Sequence, residues 1–177
     1  MKNSLDAIDE KIVELLQDNA RIAIKEIAAQ VFLSSPAVTA RMERLETRGI
    51  IKGYHAAVDS VNLGYKIKAF INLDLEPVQK EEFYPFIKSI ENVVECNCVT
   101  GEYSMLIEVE FINTEELDEF INNLQQYGKT RTQIVFSTPV EHRGVPVHSD
   151  FISKYRCDKL KWKAKLHNLI WKENSEQ

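Results

Sequence analysis

The chain has 177 residues, 44% of them hydrophobic and 28% charged, with 22 lysines and arginines against 27 aspartates and glutamates for a formal net charge of −5. That length accommodates one large domain or two small ones, and the composition excludes a wholly disordered chain, a collagen and a disulfide-dense miniprotein. No stretch approaches the roughly 20 consecutive apolar residues of a membrane helix, and the opening Met1-Lys2-Asn3-Ser4-Leu5-Asp6 lacks the apolar segment of a secretory signal.

The first 50 residues read as three short helices. Ile8, Ile12, Leu15 and Leu16 recur at helical spacing after Ser4 or Asp6 as cap, and Asp18-Asn19 ends this first helix. A second helix over Ile24 to Phe32 places Ile27, Ala28 and Val31 on one face, and Leu33-Ser34 breaks it. The third has the clearest punctuation. Ser34 or Ser35 caps it, Pro36 sits in the first turn where a missing N–H costs nothing, and Gly49 supplies the left-handed stop. Val38, Met42 and Leu45 repeat at core spacing, while Ala37, Arg41, Arg44 and Arg48 form another stripe about 100° round the helix. Two helices joined by a tight turn, the second with small residues at its start and arginines along one side, make a helix-turn-helix. The small residues let the helix enter the DNA major groove, and the arginines reach phosphates or guanine edges. A solvated Arg/Glu face is the competing explanation of that stripe, but it does not account for the coincidence of cap, small residues and preceding helix.

Ile50–Val58 reads as a strand, and residues 59–64 as a linker. From Tyr65 the pattern is strict alternation, Tyr65, Ile67, Ala69, Ile71, Leu73 and Leu75 against Lys66, Lys68, Asn72, Asp74 and Glu76, a half-buried antiparallel strand. A helix is expected over Gln79–Ile90, kinked or restarted by Pro85. Strands follow at Val93–Thr100 and Tyr103–Phe111, joined by a turn at Gly101-Glu102. Thr114 caps a helix with Leu117, Phe120, Ile121 and Leu124 on its core face and Gly128 as its stop, and Thr130–Val140 is the last strand. This order, βαββαβ, is the split ferredoxin-like sandwich, and an open apolar sheet face would predict dimerisation through it. Residues 151–177 read as a basic amphipathic helix, with Trp162, Leu166, Leu169 and Ile170 on one side and Lys159, Lys161, Lys163 and Lys165 interleaved. The fold class is therefore α+β: a winged-type helix-turn-helix domain with the strand that follows it over 1–58, a linker over 59–64, a ferredoxin-like βαββαβ sandwich over 65–143, and a basic C-terminal extension, expected to be helical, over 144–177.

The charge is unevenly spread. Residues 1–60 hold 8 basic and 9 acidic side chains, residues 61–150 hold 7 and 15, and residues 151–177 hold 7 and 3. The acidity belongs to the middle of the chain, which leaves DNA open as a partner for its ends. Cys96, Cys98 and Cys157 lack the four-ligand spacing of zinc sites, and His55, His142, His148 and His167 are scattered. No metal, no cofactor and no catalytic residues are expected, and a reducing cytoplasm fits.

L-D-A-I-D-E-K-I-V-E-L-L-Q-D-N-A-R-I, the following I-A-A-Q-V-F-L-S-S-P-A-V-T-A-R-M-E-R-L-E-T-R-G-I-I-K-G-Y, and further on L-G-Y-K-I-K-A-F, V-V-E-C-N-C-V-T-G-E-Y-S and T-R-T-Q-I-V-F, resemble the Lrp/AsnC (feast/famine) family of bacterial and archaeal regulators over about residues 5–140, in order and register. The resemblance implies a sequence-specific transcriptional regulator that binds double-stranded DNA through residues 1–58, whose last strand is a hinge, and that senses an amino acid or related small metabolite with residues 65–143, the ligand-sensing and oligomerisation domain. It also implies dimers formed through the sheets, commonly assembled into octamers, with the effector bound in clefts between dimers. Carried onto this chain, the DNA contacts would be Ser34, Ser35, Ala37, Val38, Arg41 and Arg44, although the helical spacing gives Val38 to the core. The effector site would comprise Gly101, Glu102, Tyr103 and Ser104 with Thr132, Gln133 and Ile134. Ser104 departs from the family pattern, which has Asp there as a partner for a ligand ammonium group; the basic tail is a second departure. Two other functions share this layout: a sirohaem-decarboxylase-like enzyme and a low-specificity DNA-architectural protein. The enzyme would need a strand-turn-strand rich in histidine and arginine, and residues 96–104 contain neither.

Overall fold

The computed structural model describes residues 5–147, in two compact units: one holds residues 5–56 and 142–147, the other residues 57–141. The expected helix of the basic tail lies outside the described residues.

The first unit is built from α1 (Ala7–Asp18), α2 (Ile24–Val31) and α3 (Ser35–Thr47). Asp6 caps α1, its carboxylate accepting from the N–H groups of Ile8 and Asp9 at 3.0 and 2.8 Å. Ser34 caps α3, Pro36 sits in its first turn, and Gly49 takes φ +68° just beyond its end. Ile12, Leu16, Ile27, Ala28, Val31, Val38 and Leu45 form one buried cluster, with Met42, Ile50 and Ile51 packed at its margin. At roughly 1.5–3 kcal/mol for each large apolar side chain, this small core supplies most of the unit's cohesion. Gln17 donates to the carbonyl of Val145 at 3.1 Å, which ties residues 142–147 to α1.

The strand expected over Ile50–Val58 does not form. Residues 52–58 are exposed and make no ladder with any described strand. β-branched residues and alternation suit a strand, but without a neighbour the backbone N–H and C=O groups stay with water.

The second unit is a four-stranded antiparallel sheet in the order β2-β3-β1-β4, from β1 (Ile67–Leu75), β2 (Val93–Cys98), β3 (Met105–Phe111) and β4 (Gly128–Ile134), carrying α4 (Lys80–Ser89) and α5 (Thr114–Leu124). Ala69, Ile71, Leu73 and Leu75 of β1 and Met105, Ile107, Val109 and Phe111 of β3 meet Phe83 and Ile87 of α4 and Leu117, Phe120 and Leu124 of α5 in one core. The period-2 pattern of the first and the 3.6-residue pattern of the last specify those faces directly.

Four local expectations are corrected. α4 begins after a 3₁₀ turn at Pro77–Gln79 and runs through Pro85, which is exposed, so water can serve the carbonyl that the missing N–H leaves behind. Asn113, one residue earlier than Thr114, caps α5 by accepting from the N–H of Glu116 at 2.8 Å. Gly128 does not end α5, whose cap is Gln125; it opens β4 at φ +152°, where a Cβ would lie 1.9 Å from the carbonyl oxygen of Asp74. β4 stops at Ile134 rather than Val140, because its partner β1 begins at Ile67 and the last shared bond runs from the N–H of Val135 to Lys68.

The uncovered face of the sheet is not apolar. Around Phe70 and Leu106 it bears Lys68, Asn72 and Asp74 on β1, Glu108 and Glu110 on β3, Glu95 and Asn97 on β2, and Lys129, Arg131 and Gln133 on β4. The expectation of an apolar face is corrected accordingly: alternation guarantees one apolar face, and the helices take it.

Candidate nucleic-acid interface and effector site

α3 presents its first turn to solvent. Ser34, Pro36 and Ala40 are exposed, and Ser35, Ala37 and Thr39 are half-buried. Thr39 bonds back to the carbonyl of Ser35 at 3.1 Å. This end of the helix is thin and carries no charge of its own, the shape a groove-entering helix needs. Val38 is 0% exposed and belongs to the core, so it cannot touch DNA while the unit is folded.

The arginines of the stripe have different surroundings. Nη1 of Arg41 donates to Asp6 and to Asp9, each at 2.6 Å. Asp9 is 6% exposed, the one buried charged residue among those described. A carboxylate so placed is tolerable only with a cation and hydrogen bonds beside it, and Arg41 provides both. The same contact lowers the Asp6 carboxyl below its ordinary value, helped by the backbone N–H of Asp9. It also raises Arg41, through Asp6 first and Asp9 second. Arg44 is 3.9 Å from Asp9 and its side chain is 63% exposed, and Arg48 is exposed, so these two reach solvent freely. Behind α3, the Tyr54 hydroxyl donates to Glu46 at 2.7 Å, and partial burial with the Glu46 charge pushes its pKa up to about 12. Tyr54 therefore stays a neutral donor at every physiological pH.

Sequence reasoning missed the acidic partner of Arg41. The signal was present: Asp9 stands at i, i+3, i+7 with Ile12 and Leu16, an acid on the buried stripe. It also missed Phe32, which closes α2 in the left-handed region at φ +55° with 93% of its surface exposed.

In the second unit, the loop between β2 and β3 holds Gly101 at φ +125°, exposed Glu102, half-buried Tyr103 and Ser104. Ser104 is tied into the sheet. Its N–H donates to the carbonyl of Leu73 at 3.1 Å, its Oγ accepts from the N–H of Leu75 at 2.9 Å, and its carbonyl accepts from Val99 at 2.9 Å. The hydroxyl thus continues the β3–β1 ladder by one bond. Thr132, Gln133 and Ile134 lie on β4, opposite Ile71, Phe70 and Ala69 on the other side of β1. Two strand spacings, about 10 Å, separate β3 from β4, and the loop lies beside the far end of β1. Thr132 and Ile134 share the helix side, while Gln133 lies on the open side and accepts from Asn72 at 3.4 Å. The two groups of the expected effector site are therefore not brought together within one chain.

Cys96 and Cys98 are free thiols on the helix side of β2. Burial, and secondarily Cys98, pushes the Cys96 thiol up, away from the reactive thiolate. Among the described residues there is no group of three His, Cys, Asp or Glu placed to hold a metal, and no helix long and apolar enough to cross a membrane.

Two family models match the chain: winged helix-turn-helix DNA-binding over residues 5–52, and Lrp/AsnC ligand binding domain over residues 68–145. The HTH-type transcriptional regulator LrpA of Bacillus subtilis is 36% identical over 132 residues, 74% of this chain and 97% of the relative. Among solved structures, Escherichia coli AsnC is similar with a TM-score of 0.71 at 29% identity, over 80% of this chain and 98% of that one. A feast or famine regulatory protein of Mycobacterium tuberculosis complexed with L-methionine gives a TM-score of 0.75 at 29% identity, over 81% and 99%. With a capped, small-residue recognition helix in one unit, a βαββαβ sheet in the other and these matches across both, the chain belongs to the Lrp/AsnC family of helix-turn-helix transcriptional regulators.

Proposed function

We propose that this regulator binds specific double-stranded DNA sequences through α3 and that an amino acid or related small metabolite, bound by the sheet unit, alters its DNA affinity or its assembly. The observation that carries the DNA reading is the exposed start of α3 with the largely exposed Arg44 and Arg48 beside it. Ser34, Ser35 and Ala37 approach the groove, Arg44 reaches phosphate or a base edge, and Arg41 acts chiefly as a strut through Asp9. Residues 1–58 form the reading head, 59–64 the linker, 65–143 the sensing and assembly domain and 144–177 a basic extension. The cytoplasm is the compartment where such a protein meets DNA.

The effector site combines Gly101, Glu102, Tyr103 and Ser104 of one copy with Thr132, Gln133 and Ile134 of another. Their separation by β1 within a single chain supports this reading, and so does the solved relative complexed with L-methionine. It requires a homodimer at least, and an octamer supplies such clefts repeatedly. The Ser104 oxygen already accepts from Leu75 and carries no full charge, so a ligand ammonium would meet Glu102 or a backbone carbonyl. A reading head with so little basic surplus binds tightly only when several heads act together.

The test is a titration of wild type, Arg44→Ala and Ser104→Asp against an enriched genomic fragment, at several salt concentrations and with each common amino acid. Arg44→Ala should lose about 1–3 kcal/mol if it reads a base, or a salt slope of about one if it meets a phosphate. An unchanged affinity and slope would remove Arg44 from the interface, and Ser104→Asp leaving every amino acid's effect unchanged would remove the loop from the effector site.

A further inference from the structure

Three sulfur-bearing side chains gather where β2 passes into β3, apart from the residues assigned above to DNA or effector. Cys98 is the last residue of β2 and Met105 the first of β3, and they stand directly opposite one another in the ladder. Directly opposed residues share a face, and the Cys98 Sγ lies 3.7 Å from the Met105 Sδ. Cys96 stands two positions back on β2, opposite Ile107, and therefore on the same face. Met105 is buried, Cys96 half-buried and Cys98 exposed, so the group runs from the core out to solvent and an ion can enter at Cys98. Tyr84 of α4 adjoins it: burial first, then the Cys98 charge and a hydrogen bond with Cys98, and last Cys96, raise its hydroxyl above the ordinary value.

The spacing suits a metal better than a disulfide. Cys96 and Cys98 are two strand residues apart, about 6.7 Å between Cα atoms, and Cβ vectors on one face of a strand run nearly parallel. Their Cβ atoms therefore stay well beyond the roughly 3.5–4.5 Å that a disulfide requires, and both thiols are free. A metal lengthens the bridge by two bonds of about 2.3 Å each, and sulfur donors around a three- or four-coordinate ion stand roughly 3.8–4.0 Å apart. The separation of Cys98 from Met105 is close to that already. The donor set decides which metal. Among the described residues no histidine, aspartate or glutamate joins the two cysteines in a group of three, which leaves a zinc ion short of its usual four ligands. Two thiolates and a thioether are soft donors and select a soft, low-coordinate cation.

We propose that Cys96, Cys98 and Met105 form a three-coordinate site for a soft monovalent metal ion of the copper(I) class, at the base of the β2–β3 loop. Each thiol gives its proton to solvent as its Sγ–metal bond forms. Met105 donates a sulfur lone pair and loses no proton, and copper stays in the +1 state, so no electron is transferred. The Tyr84 hydroxyl then donates to the Cys98 thiolate, an outer hydrogen bond of the kind that holds a metal ligand in place. The N–H of Val99 donates to the carbonyl of Ser104 at 2.9 Å just outside the site. The two strand stems thus fix Cys98 and Met105 in position before any metal arrives.

Anaerobic titration of the full chain with copper(I), in competition with a chromophoric copper(I) chelator, tests the site, each variant being checked for native circular dichroism. Wild type should hold about one equivalent with ultraviolet thiolate-to-copper charge-transfer absorption, and X-ray absorption should count three sulfur neighbours. Cys157→Ser, which changes a cysteine outside the described residues, should bind as wild type does. Cys98→Ser, at an exposed position, should weaken binding by more than about a hundredfold, and Cys96→Ala likewise. Met105→Leu keeps the core volume and should weaken binding about tenfold while reducing the sulfur count to two. Cys98→Ser binding as tightly as wild type, loss of the ion in Cys157→Ser, or zinc held as firmly as copper(I) overturns the proposal. So does a Met105→Leu variant that binds as wild type does, since the third donor would then lie elsewhere.

Discussion

Replacing Arg41 by alanine separates a strut from a DNA contact. The change removes the only cation within 3 Å of the buried Asp9 among the described residues, and one of the partners of Asp6. Stranding one member of a fully buried pair costs about 3–5 kcal/mol. Here the Arg41 side chain is 21% exposed and Asp6 is exposed, so water recovers part of that and about 2 kcal/mol remains. For a unit of this size that corresponds to a fall of roughly 10 °C in Tm. Asp9→Asn should cost less, since an amide needs no counter-charge, and the double variant Asp9→Asn/Arg41→Ala should be less destabilised than the sum by about 1 kcal/mol or more. Arg44→Ala should leave stability within about 0.5 kcal/mol of wild type while weakening DNA binding. Thermal and urea denaturation followed by circular dichroism give the stabilities, and a gel shift gives the affinities. If Arg41→Ala is as stable as wild type, or its effect adds simply to that of Asp9→Asn, the strut does not exist and Arg41 returns to the list of DNA contacts.

Three further outcomes follow from the same geometry. The Asp6 carboxyl is held below its ordinary value chiefly by Arg41, so its contribution to stability is fully present above the unfolded carboxyl value, is lost as pH falls through the lower folded one, and should vanish from the acid limb of a denaturation profile in Arg41→Ala. Ser104→Ala strands the N–H of Leu75 and should cost about 1 kcal/mol in urea denaturation, whereas an unchanged midpoint would mean the ladder ends at Met105. Phe32→Gly relieves a side chain held at φ +55° and should raise stability by about 1 kcal/mol with little change in DNA affinity; a loss of stability would reveal a contact made by the exposed ring.

The helices and sheet strands were legible because each has one buried face, and burial writes its period into the sequence. Val38, Met42 and Leu45 at helical spacing and Ile67 to Leu75 at alternate positions both reached the core they pointed to, Met42 at its margin. The failures lie where a partner, rather than a pattern, decides. Ile50–Val58 has strand-like residues but no neighbouring strand, and residues beyond Ile134 outrun β1. Gly128 looked like a helix stop, yet the requirement it meets is the Asp74 carbonyl, 54 positions earlier in the chain. The expected DNA contacts follow a stripe of like composition, and the stripe could not show that Arg41 is hydrogen-bonded to Asp9 while Arg44 stays largely exposed at 3.9 Å from it, because that difference depends on a helix 32 positions away. The residues expected to bind an effector lie on the loop and the strand their pattern indicates, and their separation across β1 follows from strand order, which local sequence does not encode.

A genome-wide map of DNA bound by the full chain, made with and without added amino acids, decides whether this protein is an effector-responsive, sequence-specific regulator. Discrete sites sharing a sequence are expected, with an occupancy that changes with at least one amino acid and falls in Arg44→Ala. Uniform coverage that no amino acid alters would contradict this expectation, and would leave a DNA-compacting protein in its place.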